Sequence, residues 1–98
     1  MANAVDIIDS QGHVDLESVK VSRHNHEELQ WFAHGNESAT ITFTGPEGSP
    51  FQAGVFHVPA QGSVLSGLAK DDAKYNTPYK YTVVGPMGAS DPEVIIVR

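Results

Sequence analysis

Ninety-eight residues without a single cysteine carry twelve acidic and six basic side chains, a formal charge of −6, which excludes a disulfide-stapled scaffold. The charges are spread along the chain, and no Lys/Arg cluster exists to displace phosphate counterions, so a nucleic-acid surface is excluded and an anionic membrane disfavoured. No apolar run approaches the ~20 residues that span a bilayer as a helix.

The chain opens on Met1-Ala-Asn-Ala-Val-Asp6, which has neither the basic region nor the apolar core of a signal peptide. The expectation is a cytosolic chain, or an exported domain whose signal has been removed. A first strand is expected around Val5 to Ile8, closed by the turn residues Ser10-Gln-Gly12. Val19 and Val21 alternate with Lys20 and Ser22, after which Arg23-His-Asn-His-Glu-Glu28 reads as a solvated hairpin turn. Leu29, Trp31 and Ala33 alternate with Gln30, Phe32 and His34, and the turn His34-Gly-Asn36 comes next. Ile41 and Phe43 alternate with Thr40, Thr42 and Thr44, a β-branched run suited to a half-buried strand.

Gly45-Pro-Glu-Gly-Ser-Pro50 then breaks the pattern, because Gly supplies positive φ and Pro removes a donor. Residues 55–58, 63–68, 79–84 and 93–97 read as further strands, separated by Pro59-Ala-Gln-Gly62, Asn76-Thr-Pro78 and Gly85-Pro86. Residues 67–77 are the best helix candidate, long enough for one or two turns, with a bare loop as the alternative. About eight short strands at this spacing predict an all-β sandwich, with residues 1–98 forming one domain, a length that suits one. Trp31, Phe43, Phe56, Tyr79 and Tyr81 occupy in-phase positions and are expected to fill the space between the sheets. Phe32 is out of phase with Trp31 and is expected at an edge or in solvent.

Several of these blocks resemble the cupredoxins, the family of plastocyanin and azurin. They are Glu28-Leu-Gln-Trp-Phe-Ala33, Ala39-Thr-Ile-Thr-Phe43, Phe56-His-Val-Pro-Ala-Gln-Gly-Ser-Val64, Tyr79-Lys-Tyr-Thr-Val83 and the segment from Asp91 to Val97. The resemblance covers most of the chain, from about Val19 to Val97, and implies a Greek-key β-sandwich of cupredoxin-like type. Blue-copper members hold the metal with two imidazoles, a thiolate and a weak axial thioether. Aligned on these blocks, the first imidazole falls at Ala39 and the thiolate at Val83 or Val84. No His lies beyond Val83, which leaves Met87 as the one residue of ligating type in the closing loop. A thioether alone cannot hold copper, so no copper cofactor and no electron transfer are expected.

Other chemistry finds few residues. His24 and His26, at i and i+2, would lie on one side of an extended segment and could share a Zn, Ni or Cu ion with Glu27 or Glu28. Two imidazoles are nevertheless one or two ligands short of a site. His34 and His57 fall out of phase and should face solvent, and His13 comes after Gly12 in a turn. Glu27-Glu28 and Asp71-Asp72 are adjacent pairs, which on a strand point to opposite faces and cannot share a substrate. Gly85-Pro-Met-Gly88 is too short to cradle phosphate, and Asn36-Glu-Ser38 matches the glycosylation sequon. No catalytic residue is nominated. A binding function is expected in the loops at 45–50, with neighbouring Phe51, and at 85–92, with Met87, where a partner protein would dock. The opposing expectation is that Phe51 and Met87 fill the space a copper site would take.

Overall fold

The computed structural model describes residues 2–8, 12–33 and 37–98. Among them the chain forms strands and loops with no helix, and the strands pack as two sheets in a sandwich-like fold. One sheet holds β1 (Ala2–Ile7), β3 (Glu28–Ala33) and β6 (Ser63–Leu65) in the order β1-β3-β6. The other runs β2 (Ser18–Ser22), β9 (Glu93–Val97), β7 (Pro78–Gly85), β4 (Ala39–Phe43), β5 (Val55–Val58), with the short β8 (Gly88–Ser90) also paired to β7. β1 runs parallel to β3 and β2 parallel to β9, while the remaining pairs are antiparallel.

The period-2 pattern places the core as the sequence implies. Leu29, Trp31 and Ala33 point inward from β3, Ile41 and Phe43 from β4, and Tyr79, Tyr81 and Val83 from β7. Phe56 joins them from β5. The indole of Trp31 lies 5.1 Å from Phe56 and 5.6 Å from Tyr81, ring centre to ring centre. Its Nε1–H donates to the Tyr81 hydroxyl at 3.3 Å, so the one polar tip of each ring is satisfied inside the core. Burial pushes the Tyr81 hydroxyl up to about 12, against the smaller opposing effect of the Trp31 hydrogen bond.

Two open alternatives are decided, for Phe51 and for residues 67–77, and two expectations are corrected. Phe51 is not presented by its loop: it is 1% exposed and sits edge-on to Trp31 at 6.5 Å and to Phe43 at 5.9 Å. Proline on its N-terminal side and the Phe51–Ala69 bridge turn the ring inward, and Ser49 Oγ accepts its N–H at 3.0 Å. Residues 67–77 form a loop and not a helix. Lys70 N–H is taken by Pro50 O and Lys74 N–H by the Tyr79 hydroxyl, so tertiary partners replace the i−4 carbonyls a helix would use. The strand expected over residues 63–68 stops at Leu65, where the buried Ser66 takes over, its Oγ accepting Leu29 N–H.

Finally, residues 85–92 are largely not a loose connection. β8 and β9 lie along one edge of β7 in a single register, Val83 opposite Ser90 and Lys80 opposite Glu93. Only Asp91-Pro92 interrupts the ladder, where proline has no N–H to give, and Pro92 O still accepts from Tyr81 N–H. β8 brings the described strands to nine. The expected solvent position of His34 and the turn at 34–36 lie outside the described residues, as does most of the turn at 10–12.

Candidate functional site

Two ends of the sandwich bring together the residues that sequence singled out. At the first, Ala39 opens β4 and is buried, paired with Val58. Val83 is fully buried opposite Ile41, while Val84, opposite Thr40 and Ala89, is 46% exposed on the outer face. The register sets Ala39 one step beyond the Thr40–Val84 pair, which makes Ala39 and Val83 diagonal neighbours on the inner face. Neither carries a donor atom, so the residues present do not fit a blue-copper centre.

Gly12 closes the space beside them. Its φ is +78°, and a Cβ there would lie 2.2 Å from Val83 O, so the chain can approach β7 only through glycine. The Ser90 hydroxyl donates to Gly12 O, which ties this loop to β8. His13 is exposed beside it, its carbonyl accepting Ile8 N–H at 2.8 Å.

Met87 stands 71% exposed at the tip of the β7–β8 hairpin, with Gly85 opposite Gly88 at its base. Pro86 cannot take positive φ, and Met87 is not among the residues that do. The two-residue connection is therefore not one of the primed turns that hairpins favour. Ile8, 60% exposed, reaches the same end through His13 and Gly12. Comparison with family models, curated proteins and solved structures gives no match for this chain.

At the opposite end, residues 23–26 form a turn and not an extended segment. Glu27 builds it: its Oε1 accepts from Ser22 N–H at 2.7 Å, and its own N–H returns to Ser22 O at 3.0 Å. Ser22 Oγ accepts Asn25 N–H, and His26 is driven to φ 54°, an uncommon left-handed value for a residue with a side chain. Both His24 and His26 are exposed. Among the described residues no three His, Asp or Glu side chains group so as to hold a metal ion. Glu27 and Glu28 do not form a working pair, since Glu27 Oε1 is engaged in the turn and Glu28 begins β3.

His26 and Glu27 instead line a cleft of about 450 Å³ with Arg23, Leu68, Ala69 and Asp71. Arg23 ties its two walls together, donating through Nη1 to the carbonyls of Lys70 and Asp71 at 3.3 and 2.5 Å. Its guanidinium lies 4.5 Å from the centre of the Tyr75 ring, a cation–π contact that holds the far side of the same loop. Sequence reasoning missed this cleft. Arg23 and Asp71 are 48 positions apart, and no local pattern links them.

Proposed function

We infer that the chain is a copper-free sandwich of cupredoxin-like, Greek-key type, acting without catalysis as a binding or structural module. Its partner-facing element is the 85–88 hairpin. The observation that carries this is Met87. A large apolar side chain left 71% exposed on a strand-anchored turn contributes nothing to the core and offers an adaptable contact surface. Exposed Val84 and Ile8 extend the apolar area at the same end. The cupredoxin-like part draws support from the repeated crossing of the chain between two sheets, and from Ala39 and Val83 becoming neighbours although 44 positions separate them.

The test replaces Met87 with a photo-reactive diazirine analogue and, as control, places the same group at Leu16, which is 43% exposed elsewhere. Irradiation in native cell extract is expected to give a discrete adduct from position 87 and none from 16. Equal labelling from both positions would refute the hairpin as the docking element. Copper(II) addition is expected to give no intense thiolate-to-copper absorption.

A second reading, divalent-metal handling through His24 and His26, is favoured by one observation: His26 shares its cleft with Glu27 and Asp71. Isothermal titration with Cu(II), Ni(II) and Zn(II), on the wild type and on His24→Ala/His26→Ala, separates the two. Micromolar binding lost in the double variant selects metal handling, and no binding in either removes it.

A further inference from the structure

The cleft between the 22–27 turn and the 66–71 loop lies at the far end of β3 from Met87, so what it binds is independent of the hairpin. Its volume of about 450 Å³ falls within the usual range for small-ligand sites. Its walls are fixed to each other. Arg23 bridges to the Lys70 and Asp71 carbonyls, and Ser66 N–H and Oγ are both hydrogen-bonded to the Leu29 backbone.

The polar groups in the cleft are not all consumed by the fold. Glu27 spends Oε1 on Ser22 N–H and Asn3 Nδ2, which leaves Oε2 uncommitted by these bonds. Among the described residues neither the Asp71 carboxylate nor the His26 ring has a partner. Arg23, by contrast, commits Nη1 to two carbonyls and lays its guanidinium against an aromatic face. Beside the Arg23 guanidinium the cleft therefore offers acceptors, two carboxylates and an imidazole that accepts through its unprotonated nitrogen. Arg23, Glu27 and Asp71 leave the cleft with a formal charge of −1 on a molecule of −6. A floor of Leu68, half exposed, and Ala69 suits an alkyl chain.

We propose that this cleft binds a primary alkylammonium group, its three N–H donors directed to Asp71, Glu27 and His26 and its alkyl stem laid on Leu68 and Ala69. Such a group is less demanding than a metal ion. Charge-assisted N–H···O contacts form at ~2.7–2.9 Å, whereas zinc needs its ligands at ~2.0–2.2 Å. Acceptors too scattered for a metal can still surround an ammonium. The same chemistry is offered by a free small amine and by a lysine side chain of a partner.

Titration of ¹⁵N-labelled protein with n-butylammonium chloride, read by amide shifts, tests the assignment. Saturable shifts confined to the amides of Arg23, His26, Glu27, Ala69 and Asp71 are expected. Asp71→Asn should weaken binding at least fivefold with the rest of the spectrum unchanged, and Asp72→Asn, an exposed neighbour outside the cleft, should leave it intact. A lysine flanked by alanines in a blocked peptide identifies the source: tighter binding than butylammonium selects a partner's lysine, equal or weaker binding a free amine. The proposal is overturned if sodium butyrate shifts the same amides and butylammonium does not. Shifts that stay linear and scattered, or Asp71→Asn binding like wild type, overturn it too.

Discussion

Replacing Phe51 by alanine distinguishes a ring that holds the core from one that a loop offers to a partner. The side chain is 1% exposed and contacts Trp31, Phe43 and Phe56 edge-on, with centroids 5.9–6.5 Å away. Burying about 150–250 Å² of aromatic surface at ~25 cal/mol/Å² contributes roughly 4–6 kcal/mol, an upper figure because the unfolded chain is itself partly compact. Large-to-small substitutions of buried aromatics cost about 3–5 kcal/mol, and the same is expected here. Phe51→Leu retains most of the apolar volume and loses chiefly the edge contacts, so it should cost roughly 1–2 kcal/mol. Urea unfolding followed by fluorescence suits the measurement, because Trp31 is the one tryptophan and touches the substituted ring. For a domain of this length a loss of 3 kcal/mol lowers Tm by roughly 12–24 °C. A Phe51→Ala loss below about 1 kcal/mol, at unchanged m-value, would refute the inward placement and restore the ring to the surface.

Tyr81 predicts alkaline sensitivity. Its hydroxyl is neutral when protonated and its folded value is raised, so its contribution is complete below the unfolded value near 10 and is lost as pH rises through about 12. About 2–3 kcal/mol should disappear over that window, and Tyr81→Phe should flatten the decline in urea titrations run from pH 9 to 12. Gly12→Ala should destabilise by about 3 kcal/mol, since left-handed strain adds to a clash with Val83 O. Gly48→Ala, at φ +75° with open space around it, should cost only about 1 kcal/mol. Equal losses at the two glycines, measured by thermal unfolding, would contradict the close approach of the 12–14 segment to β7. Arg23→Ala removes the tie across the cleft and the contact on Tyr75; hydrogen exchange in residues 66–77 should accelerate while the β4 and β7 amides stay protected. Uniform acceleration would show that Arg23 supports the whole fold and not one loop.

Much of the sandwich was legible because a strand writes its burial into every second residue. Leu29, Trp31, Ile41, Phe43, Tyr79 and Tyr81 all point inward as their spacing requires. That Ala39 and Val83 carry no donor atom was also legible, since it needs only residue identities. Segments without a period were not legible. In residues 67–77 the helix-like composition yields to partners elsewhere in the chain: Pro50 O, the Tyr79 hydroxyl and the Arg23 guanidinium. Phe51 comes after a proline in a turn, and no local rule says which way such a ring points; the space left by Trp31 and Phe43 decides it. The His24/His26 pair shows the same division. Sequence supplies two imidazoles two residues apart, but the Glu27–Ser22 hydrogen bonds curl the backbone and bring His26 to a cleft shared with Asp71. Sequence by itself therefore determined the fold class, the inward faces and the absence of any thiolate, because each depends on a local pattern or on composition. The tertiary structure decided the turned-in Phe51, the exposed hairpin at Met87 and the cleft, because each depends on contacts between segments far apart in the chain.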